Sequence, residues 1–65
     1  MSRAEAIKAM REGKKVTHEY FTPTEWATME NGEILLEDGV RCHPSEFWRW
    51  RRDASFDNGW SIFEP

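Results

Sequence analysis

A chain of 65 residues holds at most one small domain. At this length folding buries only about 60% of the surface the unfolded chain exposes, so stability is marginal without a staple or a partner. The single cysteine, Cys42, excludes a disulfide within the chain. No apolar run approaches the roughly 20 residues a membrane span needs. A net charge of -3 argues against non-specific nucleic-acid binding, which rests on excess Lys and Arg. One thiol and no leader-like opening fit a reducing cytoplasm. Stability is then expected from packing and self-association, for which four Trp, four Phe and one Tyr supply material.

Ser2-Arg3-Ala4-Glu5 has the form of a capping box. Ala6, Ile7 and Met10 follow at helical spacing on one face, and Gly13 suits the left-handed residue that stops a helix. The pattern predicts a helix over residues 3–12. Residues 14–21 have no helical period but are rich in β-formers, and predict a strand in which Val16, His18 and Tyr20 share one face. Pro23 ends it, in a stretch shaped like a short helical turn with Thr22 as cap and Pro23 at its first position.

Asn31-Gly32 is the best turn signal, because both residues tolerate the positive φ of a type I′ hairpin. It joins predicted strands over 26–30 and 33–37. Asp38-Gly39 turns the chain again into 40–42, making a three-stranded meander. His43-Pro44-Ser45-Glu46 favours one or two helical turns near residues 44–50. Residues 53–58 read as a loop, and 60–64 as a last strand with Trp60 and Ile62 on one face. The expected fold is one α+β domain over 1–65: an N-terminal helix packed on a small antiparallel sheet.

The densest chemistry lies between Pro44 and Arg52, where Phe47, Trp48 and Trp50 alternate with Arg49, Arg51 and Arg52. Arginine offers a planar fork for phosphates, and aromatic rings stack on bases. The competing reading makes the aromatics core, with the arginines lying over them and pairing with an acidic hairpin. That hairpin carries Glu25, Glu30, Glu33, Glu37 and Asp38 with no base among them. Lys14, Lys15 and His18 form a second, smaller basic group. Cys42 and His43 are adjacent, so on a strand they point to opposite faces, and no further spacing completes a tetrahedral metal site. No Gly-rich phosphate loop is present, and no catalytic constellation is recognisable. A binding protein without metal, cofactor or catalysis is expected.

Two segments resemble a known group. The opening EAIKAMREGKKV with Tyr20-Phe21 resembles the start of many very small phage and prophage proteins, and the closing DNGWSIFEP resembles their end. The same frame is similar to the phage anti-Thoeris ligand-sequestering family, whose members are homo-oligomers holding cyclic nucleotide-type immune signals between subunits. The resemblance covers residues 5–21 and 58–64. That family usually has a Trp soon after its basic strand, where this chain has Tyr20-Phe21 and places Trp26 later. It implies a non-catalytic homo-oligomer, a dimer or larger, acting in the host cytoplasm to bind a nucleotide-type signal and counter host defence. In that role Arg49, Arg51 and Arg52 hold phosphates, Trp48 or Trp50 stacks a base, and Lys15 or His18 adds a contact. The alternative is a protein-binding inhibitor, of the anti-CRISPR kind or aimed at a host enzyme, whose acidic face (Glu30, Glu33, Glu37, Asp38) occupies a basic groove on a host defence protein.

Overall fold

The computed structural model describes residues 1–64. Helix α1 runs Arg3–Arg11, and its capping box is complete: Ser2 Oγ accepts from the Glu5 amide, and Glu5 Oε1 accepts from the Ser2 amide. Strands β1 (Val16–His18), β2 (Ala27–Glu30), β3 (Glu33–Leu36), β4 (Arg41–Cys42) and β5 (Trp60–Ile62) form one sheet, with α2 (Pro44–Arg49) between β4 and β5. The strand order is β4-β3-β2-β1-β5, antiparallel throughout. The α+β architecture expected from the sequence is therefore present.

Asn31 and Gly32 have φ of 53° and 79°, so the β2–β3 turn uses the two positive dihedrals that its residues permit. The predicted first strand is shorter than expected. It ends at His18, because the Phe21 amide turns back to the His18 carbonyl and Tyr20 emerges into solvent. Residues 22–25 form a single hydrogen-bonded turn rather than helix: the Glu25 amide donates to the Thr22 carbonyl, and Glu25 Oε1 accepts from the Thr22 amide. The predicted loop 53–58 contains one 3-10 turn, Ala54–Phe56. The last strand stops at Ile62.

Alternation on the strands sorts the residues. Val16, His18, Ala27, Met29, Ile34, Leu36, Cys42 and Trp60 fall on the face that α1 and α2 cover, and the core of Ala6, Met10, Val16, Ala27, Ile34, Phe47 and Trp60 lies there. Trp60 sits at its centre, 2% exposed, with His18, Phe21, Trp48 and Phe56 around its ring. Its indole N–H donates to the Phe56 carbonyl, so burying the ring leaves no polar atom unpaired. Met1 exchanges backbone hydrogen bonds with Trp60 and covers part of the β5 edge. No helix among the described residues is long and apolar enough to cross a membrane.

Candidate functional site

His43 starts α2. Its imidazole Nδ1 accepts from the Ser45 amide, while Pro44 occupies the first helical position, where its missing N–H costs nothing. Two adjacent i, i+4 stripes of this short segment then face the β3–β4 turn. One holds Glu46 and Trp50, the other Phe47 and Arg51. Opposite them stand Leu36, Val40 and Cys42, and the walls enclose an open cleft of about 240 Å³. Its floor is apolar. Trp50, 77% exposed, and Val40, 51% exposed, form its outer apolar surface.

Arg51 is the cleft's cation. Its guanidinium lies 4.0 Å above the Phe47 ring and donates one hydrogen bond, of 3.0 Å, to the Phe47 carbonyl. Such stacking contributes about 0.5–2 kcal/mol, more as water is excluded. Among the described residues no carboxylate forms an ion pair with it. Partial burial makes its proton easier to lose than an ordinary arginine's, although the group stays protonated at any physiological pH. Burial also raises the pKa of the neighbouring Cys42 thiol, which disfavours its thiolate.

The other residues picked out by sequence do not converge on this cleft. Trp48 is half-buried: its ring meets Phe47 and Trp60 edge-on, and the Arg3 guanidinium lies over it at 5.4 Å. A cation thus already lies over the ring, and Trp48 does not line the cleft. His18 is 3% exposed, with Nε2 bonded to the Asn58 carbonyl at 2.7 Å and Nδ1 accepting from the Tyr20 amide. Those partners fix the ring as the Nε2–H tautomer and make it a structural tie within the core. Lys15 reaches over the Trp26 ring at 4.3 Å, beside Phe63, on the sheet face that the helices leave open. It is separated from the cleft by the sheet itself.

Arg49 and Arg52 are exposed and do not line the cleft; Arg49 makes only a long contact, 3.8 Å, to Glu46. Among the described residues none of Arg49, Arg51 and Arg52 pairs with the acidic hairpin; its one ion pair is with Arg41 of β4, which donates to Glu30 at 2.6 Å across the open face. That hydrogen bond holds the Arg41 proton more tightly than usual. Glu33 faces Glu30 beside the first turn, whereas Glu37 and Asp38 belong to the far end of β3. At ~3.3 Å per residue, some 13 Å of strand divides the two groups. The acidic residues thus form two small patches rather than one continuous face.

Arg3 escaped the sequence reading altogether. Its guanidinium donates to the carbonyls of Arg51, Asp53 and Phe56 and pairs with Asp57 at 3.1 Å. It fixes the backbone that presents Arg51. Its only sequence signal is its position as the second residue of a capping box, which says nothing of partners some fifty residues away.

The described residues thus form a small α+β unit with an open, largely apolar cleft lined by one cation, Arg51, and one carboxylate, Glu46. No family model matches the chain, and no curated protein or solved structure matches it.

Proposed function

We propose that this protein is a non-catalytic capture module that binds a nucleotide-type ligand as a homo-oligomer. The observation that carries the reading is Arg51, a half-buried guanidinium that forms no ion pair among the described residues, in an open, largely apolar cleft whose rim is an exposed Trp. A cation kept partly out of water and left unpaired is favourably placed for an anion, and the planar fork suits phosphate. Trp50 offers its face to a base.

Size argues for a second subunit. Ligand sites usually measure about 300–1,000 Å³ and bury most of their guest, so this cleft is small and open for a nucleotide. A second copy closing over Trp50 and Val40 would complete the enclosure and cover exposed apolar area together. The likeness of the two end segments to phage ligand-sequestering proteins supplies the setting: a host signal removed by binding, with no bond made or broken. Relative to the sequence expectation the site contracts to Arg51 and Trp50.

The alternative, a protein-binding inhibitor, would draw on Glu33, Glu37 and Asp38, which are exposed and outside any ion pair among the described residues. It is the weaker reading because Glu30 is neutralised by Arg41 and the remainder are divided.

Native mass spectrometry of the protein purified from host cells, repeated after mild denaturation, tests the choice. An even oligomer that releases a nucleotide-sized mass, and an Arg51→Ala variant that retains none, are the expected results. A bare monomer whose melting temperature responds to no nucleotide would overturn capture and turn the search to a protein partner.

A further inference from the structure

Glu46 sits oddly in a cleft meant for an anion. Its side chain lines the same walls as Arg51, is about half exposed, and accepts no hydrogen bond among the described residues. Among the described residues its one ion pair is with Arg49, at 3.8 Å, a contact too long and too wet to neutralise it. A carboxylate beside a bound phosphate is repulsive unless the part of the ligand that meets it is rich in N–H donors. It accepts only; it has nothing to give to a lone pair.

We infer that the cleft selects a guanine-type base, with Glu46 reading the base while Arg51 holds the phosphate and Trp50 stacks the ring. This deepens the capture reading and rests on it. Guanine alone among the common bases presents two parallel donors side by side, N1–H and the exocyclic N2–H, which match the two oxygens of one carboxylate. Adenine and cytosine offer an amino group next to a ring-nitrogen lone pair. Uracil offers one N–H between two carbonyls. Each of these would press an acceptor against the carboxylate, and a site built to receive donors rejects a guest that lacks them. Glu46 and Trp50 are one helical turn apart on the same side, so the group reading the base edge and the group stacking its face are neighbours by construction.

Calorimetric titration of the purified protein with the four ribonucleoside 5′-monophosphates tests this. Guanosine monophosphate is expected to bind at least about tenfold more tightly than the other three, the usual worth of a two-point base contact. Inosine monophosphate, which keeps N1–H but lacks the amino group, should fall between. Glu46→Gln should bring guanosine and adenosine monophosphates to within a few-fold while leaving adenosine monophosphate bound, and Arg51→Ala should lose all of them. Circular dichroism of each variant checks that it is folded. Equal binding of all four nucleotides, or a guanine preference that survives in Glu46→Gln, would sink the base assignment and leave capture standing. Binding of none at millimolar concentration would remove both.

Discussion

Two tryptophans ten positions apart illustrate how residue identity alone misleads. Trp60 is enclosed by four rings and has its indole N–H satisfied, whereas Trp50, the residue after α2, is largely in solvent. Truncating a buried Trp to Ala costs about 3–5 kcal/mol, comparable to the whole stability of a chain this short. Trp60→Ala is therefore expected to abolish the cooperative thermal transition. Trp50→Ala, which removes only exposed area, should melt within about 0.5 kcal/mol of the parent while weakening ligand binding. Circular dichroism melts of the two variants decide this; a native-like melt for Trp60→Ala would show that the aromatic cluster is not what holds the fold. His18 teaches the same lesson from the polar side. A lone imidazole among basic residues suggests an anion contact, yet its two nitrogens serve the Asn58 carbonyl and the Tyr20 amide inside the core.

Elements whose cause is local could be read from the chain, and those whose cause is distant could not. The capping box of α1, the Asn31-Gly32 hairpin and the Pro44 helix start all depend on residues within four positions of one another, and all three stand where their residues place them. The length of β1 depends instead on the turn at Tyr20-Phe21. The shape of the loop before β5 depends on Gly59, whose φ of +90° brings its backbone so close to His18 that a Cβ would lie 3.0 Å from Nε2. The cleft was half legible: α2 and its Arg–Trp content were, but which stripe faces the sheet was not. The capping box also carries a pH signature. The hydrogen bonds linking Glu5 to Ser2 lower the Glu5 pKa below its ordinary 4.5. A depressed folded-state pKa means the contribution is present above the unfolded value and is lost as pH falls through the folded one. The helical signal and melting temperature should therefore drop below about pH 4.5 more steeply in the parent than in Glu5→Gln, which has no charge to lose. Ser2→Ala should cost about 1 kcal/mol at neutral pH. Acid titrations of parent and Glu5→Gln followed at 222 nm check this, and coincident curves would show the cap to be inert.

At the scale of the whole molecule, the two ends of the chain meet at Trp60 and Arg3, and this junction sets the cleft. β5 joins the sheet beside β1, so the chain after α2 must return to the opposite edge of the sheet from β4, and it does so past the N-terminal end of α1 along a path with little regular structure. Arg3 replaces the missing regularity. Three carbonyls between Arg51 and Phe56 converge on one guanidinium, and Asp57 adds a charge. Arg3→Met keeps an unbranched apolar stem but removes every donor and the guanidinium over Trp48, leaving those carbonyls to water. With a net worth of about 0.5–1.5 kcal/mol per hydrogen bond and incomplete burial, a total loss of about 1–3 kcal/mol is expected. Where the loss appears is the sharper test. If Arg3 acts as a clamp, amide exchange should accelerate in residues 51–57 and leave the β2–β3 hairpin protected. Nucleotide affinity should fall as well, although Arg3 does not line the cleft, because the backbone that aims Arg51 is no longer held. Exchange that rises evenly over the chain would instead make Arg3 a contributor to global stability alone, and the cleft would have to be positioned by α2 and Phe47 without it.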